Sequence, residues 1–120
     1  MKCLDTYALV EIADGNPAFS TLLAEDVIIT DLTLAEFYGD LYRKFGAPTA
    51  NYWHRKLAPL CRPVGRELLI KAVTYRIDHK KQGLSFFDCV GYLFAIENNI
   101  LFVTGDKEFR GRANVEFISK

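Results

Sequence analysis

The 120-residue sequence predicts a three-layer α/β fold on a largely parallel, short-stranded central sheet. Three observations predict it. Short apolar, β-branched runs recur along the chain, among them Val27-Ile28-Ile29-Thr30 and Ile100-Leu101-Phe102-Val103-Thr104. Between them lie longer segments with apolar residues at helical spacing, closed by glycine or asparagine. Acidic residues stand where a strand gives way to a helix or turn, and in a parallel sheet those strand ends share one edge.

Taken in order, Lys2 to Leu4 reads as a first strand. Thr6 to Asp14 reads as a helix, with Leu9, Val10, Ile12 and Ala13 on its apolar side and Gly15-Asn16 as its stop. Pro17 suits the first turn of a second helix running to about Glu25. After the Val27–Thr30 strand, Leu34, Phe37, Leu41 and Phe45 mark one face of a helix from Thr33 to Phe45, closed by Gly46. Pro48 to Leu60 reads as helical and Cys61 to Val64 as a short central strand. Gly65 to Lys81 and Ser85 to Asn98 are two further amphipathic helices, followed by strands at Ile100–Thr104 and Val115–Ser119. No repeat or linker interrupts this, so residues 1–120 are expected to form a single domain.

Composition fits an ordinary globular domain, with 50% hydrophobic and 25% charged residues. Cys3, Cys61 and Cys89 are too far apart for a zinc knuckle or a redox pair and read as buried thiols in a reducing compartment. No apolar stretch approaches the roughly 20 residues that span a bilayer, and the N-terminus lacks the pattern of a signal peptide. No membrane association and a cytoplasmic location are expected.

The formal charge of zero hides a segregation. Residues 1–40 carry eight acidic side chains against Lys2 alone, a net of −7. Residues 41–81 carry ten basic side chains against Glu67 and Asp78, a net of +8, and the remainder is −1. A basic middle beside an acidic site suits a polyanion such as RNA. The bland alternative is a set of solvated helix faces.

The acids that matter are Asp5, Glu36, Asp88 and Asp106. Singly, each passes as helix punctuation: Asp5 and Asp106 as caps, Glu36 and Asp88 as the ends of Thr33-x-x-Glu36 and Ser85-x-x-Asp88 capping boxes. Caps need not converge, however, and these four point to one edge. Two carboxylates at about 4 Å repel by roughly 4 kcal/mol at an effective dielectric near 20. A hard divalent cation with a preference for oxygen ligands relieves that repulsion, so the cluster is expected to be a Mg²⁺ or Mn²⁺ site.

Four segments carry a family resemblance. They are Leu4-Asp5-Thr6-Tyr7-Ala8-Leu9, Thr33-Leu34-Ala35-Glu36-Phe37, Leu84-Ser85-Phe86-Phe87-Asp88-Cys89-Val90-Gly91-Tyr92 and Val103-Thr104-Gly105-Asp106-Lys107-Glu108-Phe109. In order and spacing the chain resembles PIN-domain nucleases over essentially its full length, particularly the small VapC-type toxins of prokaryotic toxin–antitoxin pairs. The resemblance implies a PIN-like α/β/α fold and metal-dependent endoribonuclease activity. It makes Asp5, Glu36, Asp88 and Asp106 the acidic metal quartet, holding one or two ions, with Thr6 and Thr104 as hydroxyls beside it.

Among these acids, Asp5 and Asp106 are the expected direct ligands, with Asp88 close behind. Glu36 is expected to act through water or as the base that deprotonates the nucleophile. Lys107 and Arg110 beyond Asp106, and Arg43 at the far end of the Glu36 helix, are candidates to hold the RNA backbone; a solvated face is the bland reading of each. Apolar positions on the early helices (Leu9, Ile12, Phe19, Leu22, Phe37, Tyr38, Leu41, Tyr42) exceed what a small core obviously needs. By the resemblance, that surplus suits a homodimer face and a groove for a cognate antitoxin. A receiver-like phosphoacceptor domain is disfavoured, since Asp5 is followed by Thr6 and Cys61 to Gly65 contains no acid. A non-catalytic interaction module and an RNA-maturation nuclease are the remaining alternatives.

Overall fold

The computed structural model describes residues 1–119; Lys120, the last residue of the expected domain, lies outside them. Five strands form one parallel sheet: β1 (Lys2–Leu4), β2 (Val27–Thr30), β3 (Cys61–Arg62), β4 (Leu101–Thr104) and β5 (Val115–Phe117), in the order β3-β2-β1-β4-β5. The central strand β1 pairs Lys2 with Val27 on one side and with Leu101 on the other. Side chains alternate across a strand, so each strand feeds two cores. Leu4, Ile29 and Val103 pack on one face, with α1 (Thr6–Ala13), α2 (Asp31–Phe45) and α3 (Ala47–Leu57). Cys3, Ile28 and Phe102 pack on the other, with α4 (Arg66–Asp78) and α5 (Phe86–Glu97). This is the expected three-layer arrangement.

The strand order turns around at β1. From there the chain builds outward to β2 and β3, then returns to place β4 and β5 on the other side. The carboxyl ends of β1 and β4 therefore flank the switch point, where sheets of this kind leave a crevice. At the opposite end, Lys2 donates to Glu25 at 2.8 Å and lies 2.9 Å from Glu116, tying β1 to the β5 edge. Both carboxylates raise the Lys2 pKa.

Four elements differ from expectation. The strand expected to be central at Cys61–Val64 is the edge strand β3, and it stops at Arg62 before Pro63, which has no amide to donate. Residues 17–25 form turns and a 3₁₀ segment at Leu22–Ala24 instead of an α-helix. Asn16 nucleates the turns, its carbonyl accepting from Phe19 and Ser20 at 3.0 Å and its side chain from the Ala18 amide. Phe19, fully buried, acts as a plug in the first core. The helix α2 begins at Asp31 rather than at the expected Thr33, because Thr30 caps it and accepts from the Thr33 amide at 3.0 Å. Helix α4 stops at Asp78, and a 3₁₀ turn at Lys80–Gln82 leads to Gly83, whose φ of 67° lies in the left-handed region.

The early-helix surplus is also corrected. Leu9, Ile12, Phe19, Leu22, Phe37 and Leu41 are core residues, because two helical layers and the sheet consume them. Tyr42 alone of the eight is fully exposed, and Tyr38 is half-buried. Burial pushes the Cys3 thiol up to about 12 and the Cys89 thiol up to about 11, in keeping with the inert thiols expected. No helix among the described residues is long and apolar enough to cross a membrane.

Candidate metal centre

Asp5 follows β1 directly, anchored by its own amide bonding to the Val103 carbonyl at 3.2 Å. Its Oδ1 caps α1 by accepting from the Ala8 amide at 2.8 Å. The other oxygen, Oδ2, is buried and meets no hydrogen-bond partner among the described residues. An orphaned carboxylate oxygen inside a fold is costly unless something positive meets it. Burial pushes the Asp5 carboxyl up to about 8, against the pull of the Thr104 hydroxyl and the Ala8 amide; the charges of Asp88 and Asp106 push it further up.

Asp88 sits in the first turn of α5. Its amide donates to the Ser85 hydroxyl at 3.0 Å, as the expected capping box requires. Burial pushes Asp88 up to about 6, the Ser85 hydroxyl pulls it down, and Glu36 and Asp106 push it up. Asp106 follows β4 by one residue and caps the 3₁₀ turn Lys107–Phe109 through Oδ1, at 3.0 Å from the Glu108 amide. Its own amide donates to the buried Thr104 hydroxyl at 3.0 Å, which aims the side chain.

Glu36 is no cap. With Thr30 in that position, Glu36 falls in the second turn of α2, where its Oε1 accepts from the Thr6 hydroxyl. Burial raises its pKa, Thr6 lowers it, and Asp40 raises it.

Glu36, Asp88 and Asp106 line one hollow of about 390 Å³, together with Thr6 and Ser85. Asp5 does not line it; at 2% exposure it feels Asp88 and Asp106 from within the fold. The four acids named from the sequence are thus electrostatically joined at one rim of the sheet. Glu11 and Asp40 line the same hollow, and sequence reasoning missed both. The available signals were a glutamate inside the apolar run Leu9-Val10-Glu11-Ile12, and Asp40 one helical turn after Glu36.

The donor set suits a hard divalent cation: carboxylate and hydroxyl oxygens, no basic residue in the lining, and the unmet Asp5 Oδ2. The carboxylates do not close into a preformed cage. Among the described residues no three His, Cys, Asp or Glu side chains stand together as a ready ligand set. Local donors hold two of them individually, the Thr6 hydroxyl on Glu36 and the Glu108 amide on Asp106.

The remaining named residues are placed as follows. Thr6 holds Glu36 rather than local backbone, and Thr104 aims Asp106. Arg43 is paired with Asp40 at 2.7 Å, on the side of α2 that faces the hollow. Arg110 lies over the Phe117 ring at 5.0 Å, and Lys107 is exposed in the turn after Asp106. A Cβ at Gly105 would come within 2.2 Å of the Tyr7 ring, so only glycine lets β4 pass this close to the helix that follows Asp5.

Residues 2–115 match the family model of the PIN domain, and the chain belongs to that family. Its structure is similar to the sarcin-ricin loop cleaving toxin VapC20 of Mycobacterium tuberculosis, with a TM-score of 0.82 at 20% identity, covering 98% of this chain and 99% of that one. It is also similar to a chain of a toxin–antitoxin complex from Klebsiella pneumoniae (TM-score 0.77, 16% identity, 97% and 96% covered). The third is a chain of VapBC-1 from nontypeable Haemophilus influenzae (0.71, 15%, 98% and 96%). No curated protein sequence matches.

Proposed function

We propose that the chain is a Mg²⁺- or Mn²⁺-dependent endoribonuclease, the toxin of a type II toxin–antitoxin pair. The observation that carries this reading is the hollow at the β1/β4 switch point, lined by Glu36, Asp88 and Asp106, with the buried Asp5 carboxylate coupled electrostatically to Asp88 and Asp106 from within the fold. Membership of the PIN family and the similarity to an RNA-cleaving toxin support it. Asp5 and Asp106 would hold an ion directly, Asp88 beside them and Glu36 through water, with one or two ions in all. The bound ion would supply positive charge for the phosphate and acidify water.

The protein's own contribution is aim and proton transfer. The Thr6 hydroxyl occupies Oε1 of Glu36, leaving Oε2 to take a proton from an attacking water. Thr104 fixes Asp106 against the end of β4. RNA as substrate implies work in the cytoplasm. Solved relatives include toxin–antitoxin complexes, which supports a cognate antitoxin as partner. A homodimer belongs to the same reading.

Asp5→Asn or Asp106→Asn is expected to abolish metal-dependent RNA cleavage with the circular dichroism spectrum retained. Glu36→Gln is expected to reduce the rate by roughly 10²–10⁴-fold, the usual worth of a general base. Full activity in either aspartate variant, or undiminished cleavage in EDTA, would overturn the assignment.

A further inference from the structure

The acidic hollow poses a problem for its own proposed substrate. Its lining holds Glu11, Glu36, Asp40, Asp88 and Asp106 and no cation. A polyanion is drawn in by Lys and Arg, each phosphate neutralised adding to affinity. Of the cations nearest in sequence to the site, Arg43 is committed to Asp40 and Arg110 to the Phe117 ring, while Lys107 is exposed in the turn after Asp106 and does not line the hollow.

A second hollow, of about 440 Å³, is bounded by Arg76, Ile77, Lys80, Gly83, Leu84 and Ser85. Ser85 is also a wall of the acidic hollow, so the two adjoin across a single residue, the N-cap of α5. The second hollow is basic and has no carboxylate in its lining. Arg76 is tethered by its Nε, which donates to the Leu84 carbonyl at 3.1 Å, a bond that points the guanidinium at the start of α5. Neither Arg76 nor Lys80 has an ion-pair partner among the described residues. The left-handed turn at Gly83 brings the chain back from Lys80 to Leu84 with no side chain to fill the space.

We infer that the Arg76–Lys80 hollow is a phosphate-binding subsite, seating the RNA backbone next to the phosphate that lies in the acidic hollow. The inference rests on the ribonuclease reading and adds a direction to it. The strand passes over Ser85, from the acids at the β1/β4 crevice to the cations at the end of α4. Arg76 supplies a fixed, planar donor pair, and Lys80 a mobile point charge.

The test pairs binding with cleavage. A short, fluorescein-labelled, random-sequence single-stranded RNA is titrated in EDTA over a range of salt concentrations. The same protein is then assayed for cleavage in Mg²⁺ or Mn²⁺. Lys80→Gln is expected to lower the slope of log affinity against log salt by about 0.7, one single-strand phosphate contact. Adding Arg76→Gln is expected to lower it by about the same again, with KM raised and kcat retained. Lys56→Gln, a basic change away from both hollows beside Tyr52 and Trp53, is expected to change neither.

Because Arg76 also holds the Leu84 carbonyl, its variant is checked for an unchanged melting temperature. Lys80 is exposed and unbonded, so its variant stands alone if the other fails to fold. An unchanged slope and KM in Lys80→Gln while wild type cleaves would overturn the subsite and leave the ribonuclease reading intact. An equal loss in Lys56→Gln would overturn it too, by showing that any surface charge serves. Failure of wild type to cleave in either metal would overturn the ribonuclease reading itself, and the subsite with it.

Discussion

Asp5 is ionised only against resistance from its surroundings, and that resistance is measurable. Its carboxyl sits near pH 8 in the fold, chiefly through burial, against about 4 for an exposed aspartate. Between those values the unfolded chain has lost the proton that the folded chain keeps, so stability falls as pH rises. The contribution is whole below about pH 4 and lost above about pH 8; Asp88, near 6, acts in the same direction. In EDTA, the melting temperature is therefore expected to decline from pH 5 to pH 8. Asp5→Asn should flatten much of the decline, and added Mg²⁺ or Mn²⁺ should restore stability at pH 8 by binding the ionised form. Thermal melts across that range check this; a decline that persists unchanged in Asp5→Asn would contradict it. At this scale the sequence was informative where backbone dictated position. Asp5 and Asp106 were legible because strand ends in a parallel sheet share an edge. Glu36 was singled out as an acid beyond the Val27–Thr30 strand and by the family resemblance, and its bland reading, a Thr33-x-x-Glu36 capping box, is pre-empted by Thr30. Asp40 and Glu11 escaped because which face of a helix looks into a crevice depends on packing.

Helix α2 shows how an element sets a side chain. It carries Glu36 and Asp40 toward the hollow, and its start is fixed by Thr30, a fully buried residue whose hydroxyl takes up the Thr33 amide. Thr30→Ala is expected to cost about 1 kcal/mol, the usual loss for a removed cap, lowering the melting temperature by roughly 4 °C. Thr30→Ser should recover most of it, and thermal denaturation of the two variants checks the difference. The long helices were legible from periodicity because each sets an apolar stripe against one core or the other, although α4 also carries apolar residues that stay exposed. The stretch from Pro17 to Glu25 was not. Its composition permits a helix, but Asn16 captures two amides in turns and Phe19 must reach the core. Tertiary demand outweighed a start signal.

At the scale of the molecule, α4 carries an apolar surface without cover among the described residues. Ile70, Val73 and Ile77 lie along α4 at 61%, 47% and 63% exposure, spaced at i, i+3 and i+7 as in a helix-pairing seam. The homodimer proposed above would be served by α4 meeting α4 of a second copy, the self-complementary contact a two-fold axis requires. Ile70→Asp is expected to shift the purified protein from dimer to monomer by light scattering; a wild-type monomer would refute the dimer. The strand order has a further consequence, for synthesis. Lys2 pairs with Leu101, so β1 finds one of its neighbours only after the long intervening stretch of chain has been made. Asp106 comes later still. A nascent chain therefore cannot assemble the carboxylate crevice until both β4 and the turn that carries Asp106 have been made.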